Sequence, residues 1–163
     1  MQVKVEEIDI CRGPHNDMLD ERVFNIYLYK LKQHHYDLAI VTPPCNTWSR
    51  ARCNRGSGPP PLRSRSFPWG FPWLEGVRKD KIDAANVLMR RSIEVMKLCG
   101  ELQIPFLFEF PEDLGDSRDM SPASAWQLPE LKALSNEVGA TRYGVYQDYG
   151  TPYLKPTGFL STL

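Results

Sequence analysis

Leu38-Ala39-Ile40-Val41-Thr42-Pro43-Pro44-Cys45-Asn46-Thr47-Trp48-Ser49 is the stretch that decides the fold. Four apolar residues in a row read as a buried strand, and the doubled proline, which fixes φ and removes two backbone donors, must end it. Cys45 is thereby set at the strand's carboxyl edge. In open α/β sheets ligands bind at that edge.

Working outward, the strand is flanked by segments of alternating type. Upstream, Val3, Val5, Ile8 and Ile10 alternate imperfectly with charges and predict a first strand over 3–10. Leu19, Val23, Ile26, Tyr27 and Leu31 then fall at helical spacings over 17–32, with Asn16 or Asp17 as N-cap. Downstream, Ala85, Leu88, Met89, Ser92, Ile93, Met96 and Cys99 trace one face of a helix over 81–100, with Gly100 as its stop. Residues 104–110 form an apolar run that predicts a second buried strand ending at Glu109-Phe110-Pro111. Residues 122–138 read as a helical stretch interrupted by Pro129, and 141–147 and 157–163 as two closing strands. Strand, helix, strand, helix, strand implies right-handed crossovers. The expected architecture is α/β: a three-layer Rossmann-like sandwich with a mostly parallel sheet, in one domain over residues 1–163.

Residues 48–81 change character. They hold three of the four tryptophans and four of the eleven glycines and, with Pro43 and Pro44 just before them, seven of the fourteen prolines. No period is usable, so the segment reads as a long loop, an inserted flap. Its eight basic residues against two acidic ones give a net charge of +6, in a chain whose 20 Lys+Arg balance 20 Asp+Glu. The arginines, among them Arg50, Arg52, Arg63 and Arg65, interleave with Trp48, Phe67, Trp69, Phe71 and Trp73. That combination grips phosphates and stacks on unpaired bases.

With no apolar stretch of about 18 residues and charges from Lys4 onward, the sequence predicts a soluble intracellular chain, in cytoplasm or nucleus, with no membrane partner. Cys11, Cys45, Cys53 and Cys99 include no CxxC pair, which predicts reduced thiols. His15, His34 and His35 give no ligand set with Cys45 or Cys53, so no metal is expected.

Two residues carry candidate chemistry. Cys45, held by prolines past a strand, has the fixed backbone and partial exposure that suit a nucleophile. Glu109 leaves an apolar strand between phenylalanines, a setting that favours proton donation or hydrogen bonding to a base ring.

Thr42-Pro43-Pro44-Cys45-Asn46-Thr47-Trp48-Ser49 resembles the Pro-Cys nucleophile motif of DNA cytosine-5 methyltransferases. Phe108-Glu109-Phe110-Pro111 resembles that family's strand-end glutamate motif, and Asp148-Tyr149-Gly150-Thr151-Pro152-Tyr153-Leu154-Lys155-Pro156-Thr157 its later tyrosine-glycine-x-proline segment, in the same order. The resemblance implies that Cys45 attacks C6 of a flipped cytosine, Glu109 holds its ring nitrogen and amino group, and S-adenosylmethionine alkylates C5. It further implies that Lys155 stands near the base, where the family usually has an arginine, that Ser49 contacts phosphate and that Pro44 shapes the cofactor side. Asp17, in Asn16-Asp17-Met18, would face the adenine, and Glu7 or Asp9 the ribose. The family's glycine-rich cofactor loop, target-recognition domain and closing helix have no counterpart, and Phe110 replaces the usual asparagine. The expectation is therefore a short or truncated unit, beginning at the family's second or third strand, whose missing segment a second chain supplies. Two other readings stay open: a noncatalytic nucleic-acid-binding module using the Arg/Trp loop, and a cysteine-dependent transferase or hydrolase acting on nucleotide-like small molecules.

Overall fold

The computed structural model describes residues 3–48, 50–53, 58–116, 121–145 and 155–163. The fold is mixed α/β, with helices α1 (Glu21–Lys32), α2 (Gly76–Glu101) and α3 (Pro129–Glu137) and strands β1 (Ala39–Val41), β2 (Phe106–Pro111), β3 (Thr141–Val145) and β4 (Thr157–Ser161). The strands form one open sheet in the order β1-β2-β4-β3.

Pairing corrects the expected mostly parallel sheet. β1 and β2 are parallel, with Val41 opposite Phe108, whereas β4 runs antiparallel to both β2 and β3. The physical reason lies in the connections. A helix follows β1 and another follows β2, so β1, β2 and β3 all point the same way, as crossovers require. β4 follows β3 with no helix between them among the described residues, reverses direction and inserts between β2 and β3.

The anticipated first strand over 3–10 is another correction. Residues 3–9 belong to no strand and lead into a short 3-10 turn at Ile10–Arg12. This segment is tied instead through Glu6, which accepts from Lys30 Nζ at 2.6 Å and from the Tyr36 hydroxyl at 2.5 Å. The cap of α1 is Asp20, whose carboxylate accepts from Arg22 N at 2.8 Å, while Asp17 closes the preceding turn by accepting from Leu19 N. α2 starts five residues earlier than its apolar face suggested, and the flap is shortened accordingly. Gly100 is not the stop: the left-handed position is taken by Gln103 at φ 57°. A Cβ on Gly100 would lie 2.4 Å from Val138 Cγ1, so the glycine lets the end of α3 approach α2. Pro129 does not interrupt a helix but opens one, at the N-terminal position where its missing N–H costs nothing.

Phe106, Phe108 and Phe110 project from one face of β2 into the core, against Met89, Met96 and Cys99 of α2, Leu131 and Leu134 of α3, and Trp126. α1 packs on α2, with the Arg91 guanidinium 4.7 Å from the Phe24 ring. On the other face of the sheet, Ile40 is 65% and Tyr143 51% exposed. The sequence suggested helices on both faces. The described residues place α2 and α3 on the phenylalanine face.

Candidate active site

The parallel register of β1 and β2 brings the two chemically loaded residues to one edge. Cys45 lies four residues beyond Val41, which pairs with Phe108, and Glu109 lies one residue beyond Phe108. The chain turns at Cys45, whose carbonyl accepts from Trp48 N at 2.9 Å, and Cys45 sits half-buried against the core. Glu109 belongs to the face of β2 opposite the phenylalanines and its side chain is 23% exposed. Lys155 Nζ donates to Glu109 Oε1 at 3.0 Å, so two of the residues the motif resemblance grouped meet directly. The turn thus carries a thiol, and the next strand a carboxylate with an ammonium on it: a nucleophile, a hydrogen-bond acceptor and a hydrogen-bond donor of the kinds a polar ring can use.

Beside this edge lies a cavity of about 460 Å³, within the range of small-molecule sites. Seven consecutive residues, 38–44, line it, so β1 presents its outer backbone edge to the space. Asp9, Asp17 and Pro44, all expected on the cofactor side, line it together. Asp9 accepts from Cys11 N at 2.8 Å, a hydrogen bond that holds its carboxyl below the usual range. Glu7 does not line the cavity and pairs with Arg12 instead, at 2.5 Å. Apolar walls from Ile10, Leu19 and Leu31 with three carboxylates, Glu6, Asp9 and Asp17, suit an adenosine: a flat apolar ring beside acceptors for hydroxyl and amino groups. That is the chemistry the nucleoside half of S-adenosylmethionine would need. The described residues offer no glycine-rich cradle for its other half.

Arg91 and Asn86 also shape the site, and sequence reasoning passed over both. Arg91 Nη1 donates to Met18 O at 2.5 Å and pins the 16–19 turn to α2. Asn86 Nδ2 donates to Trp69 O at 2.7 Å and pins the flap. The available signal was an asparagine among Ile82, Ala85 and Met89 on the buried face of α2.

The flap's arginines, expected on phosphate, are engaged within the fold. Arg50 donates to the carbonyls of Leu114 and Gly115, and Arg52 to those of Asn46 and Pro60. Arg65 pairs with Asp113 and Asp116 at 3.5 and 3.4 Å. Arg63 is 3% exposed and donates to Thr47 Oγ1, Asn86 Oδ1 and Pro68 O, with its guanidinium 3.8 Å from the Trp48 ring. Burial pulls it down to about 9. These bonds account for much of the flap's +6: a Pro/Gly-rich segment has carbonyls that no helix or sheet satisfies, and arginine supplies the donors. Trp69 is half-buried, 6.0 Å from Trp48 and capped by Arg90 at 4.7 Å. Ser49 lies outside the described residues, as does 148–154 of the tyrosine-glycine segment.

Among the described residues no cluster of His, Cys, Asp and Glu could hold a metal ion, and no helix is long and apolar enough to cross a membrane. Compared with protein-family models, with curated proteins and with solved structures, the chain matches none.

Proposed function

We propose that this chain is the base-handling part of a cytosine-5 methyltransferase-like unit acting on nucleic acid, with DNA as the first substrate to test. The observation that carries the reading is the β1–β2 register, in which Glu109 follows Phe108, the partner of Val41, and Val41 is the last residue of β1 before the Cys45 turn. In this reading a cytosine swung out of its helix lies over that edge. The Cys45 thiolate adds to C6, the C5–C6 electron pair moves to C5, Glu109 accepts from the amino group and Lys155, which also donates to Glu109, donates to the ring nitrogen. S-adenosylmethionine, when bound, supplies an electrophilic methyl group. Asp9 and Asp17 would hold its adenosine and Pro44 would shape the wall between cofactor and base. Loss of the C5 proton to water then expels Cys45 as thiolate and restores the ring.

A second chain completes the unit in this proposal. The outer edge of β1 has no strand partner among the described residues, and Ile40 stands on the open face. A partner chain packed on that open face would cover it to make the three-layer, Rossmann-like form, and would bring the missing cofactor loop to the cavity beside β1. A nucleic-acid substrate places the work inside the cell, in cytoplasm or nucleus.

The test is covalent trapping. A duplex carrying 5-fluorocytosine has no C5 proton to lose, so with S-adenosylmethionine the wild-type chain should form a stable adduct on a denaturing gel. Cys45→Ala should form none, and Glu109→Gln far less. Absence of any adduct from the wild type, with and without cell extract to supply a partner, would overturn the catalytic reading.

A further inference from the structure

The flap contains an aromatic surface that the active-site reading does not use. Phe67, Phe71 and Trp73 pack on one another: Phe71 and Trp73 stack at 4.8 Å between centroids and 9° between planes, and Phe67 meets both edge-on at 6.1 and 5.6 Å. Burial is what normally brings three rings together, yet Trp73 is 65% and Phe67 41% exposed. Backbone bonds hold the cluster in place, from Phe71 N to Leu62 O, Gly70 N to Phe67 O and Leu74 N to Phe71 O. Gly70, at φ 114°, seats the loop on α2 so tightly that a Cβ there would lie 2.6 Å from Ile82 Cγ2. The rings are thus preset on a fixed support.

Beside them is an open hollow of about 530 Å³ lined by Pro61, Phe71, Trp73, Glu75 and Arg78 among others. Arg78 has no charged or hydrogen-bonding partner among the described residues, unlike Arg50, Arg52, Arg63 and Arg65. Glu75 precedes α2 without capping it, so its carboxylate is open to a donor from outside.

We propose that this surface binds single-stranded nucleic acid by stacking an unpaired base on Trp73, with Arg78 on the adjoining phosphate and Glu75 accepting from a base N–H. A flat, exposed ring backed by a second parallel ring offers every base a π-face. Bases within a duplex have theirs covered, so single strands are selected. The ligand class rests on the nucleic-acid reading above. Charge favours it over an apolar or proline-rich peptide, because Arg78, which has no partner among the described residues, lines the hollow beside the rings.

Titration of the full chain with (dT)12, followed by tryptophan fluorescence and by anisotropy of labelled oligonucleotide, tests the proposal. Stacking should quench Trp73. Trp73→Ala should weaken binding by about 5- to 100-fold, the loss of roughly one stacked base, while Trp73→Phe retains binding within about threefold. Arg78→Ala should make the slope of log K against log salt shallower by about 0.7, one single-strand phosphate contact. A duplex of the same sequence should bind more weakly. Both Trp73 variants change an exposed side chain, and unaltered circular dichroism confirms their fold. Equal affinity of wild type and Trp73→Ala for (dT)12 would overturn the proposal, as would binding of a proline-rich peptide, or self-association, that Trp73→Ala abolishes in place of oligonucleotide binding. Cys45→Ala should bind (dT)12 unchanged. Loss of adduct trapping with this binding intact therefore counts against the catalytic reading alone, and trapping without single-strand binding against this one alone.

Discussion

Replacing Arg63 by methionine, which keeps the aliphatic volume and removes the charge, asks whether a buried guanidinium holds the Cys45 turn to the flap and α2. Its bonds to Thr47 Oγ1, Asn86 Oδ1 and Pro68 O measure 2.8, 3.1 and 2.7 Å. Hydrogen bonds from a charged donor are worth about 1.5–3 kcal/mol each, so the three contribute roughly 6 kcal/mol. The Trp48 ring at 3.8 Å adds about 2 kcal/mol in so dry a place. Against this, holding the group at about 9 rather than 12.5 costs on the order of 5 kcal/mol at neutral pH. The balance favours the arginine by about 3 kcal/mol, and Arg63→Met should lose that much in urea unfolding at pH 7 followed by circular dichroism. The pH dependence carries a sign. Above about 9 the unfolded chain still binds the proton that the folded chain has released, so this group makes the wild type more stable as pH rises. The gap between wild type and Arg63→Met should widen by about 1 kcal/mol from pH 9 to 10. A variant as stable as wild type, or a gap that does not change with pH, would refute the reasoning.

Other consequences are open to direct measurement. Cys99 is fully buried and burial pushes its thiol up to about 11, so iodoacetamide near neutral pH should modify half-buried Cys45 well before Cys99; mass spectrometry of peptides gives the order, and early labelling of Cys99 in folded protein would contradict the packing. Gly158→Ala would put a Cβ 2.6 Å from Trp126 Cζ2, on a ring fixed by its bond to Pro111 O, and should cost about 1–3 kcal/mol, read as a lower Tm. An unchanged Tm would show that the ring can move aside.

Much of this fold was legible wherever a local rule governed it. Pro43-Pro44 set the end of β1, the helical face from Ala85 to Cys99 set most of α2, and the apolar run from Ile104 set β2, so the positions of Cys45 and Glu109 on neighbouring strands follow from local rules alone. Strand directions followed from the helices between them. What was not legible was non-local. Nothing in residues 157–163 says that they insert between β2 and β3, because that choice depends on which edge offers a partner. Alternation at Val3 and Val5 suggested a strand, but tethering of Glu6 to Lys30 and Tyr36 took the segment elsewhere. The flap misled in the same way: its net charge is a property of composition, while the carbonyls that Arg50 satisfies belong to a distant turn at Leu114 and Gly115. Within the flap, sequence grouped five aromatic residues as equals. Packing divides them, with Trp48 buried beneath Arg63 and Trp73 left in solvent.

The account rests on a bond between Cys45 and a base, and peptide mapping of the trapped complex reads that bond itself. After incubation with the 5-fluorocytosine duplex and S-adenosylmethionine, digestion with protease and nuclease should yield the peptide containing Cys45 heavier by one methylated fluorocytosine nucleotide, and no other modified cysteine. An adduct on Cys11 or Cys53, or none on any cysteine, would contradict it.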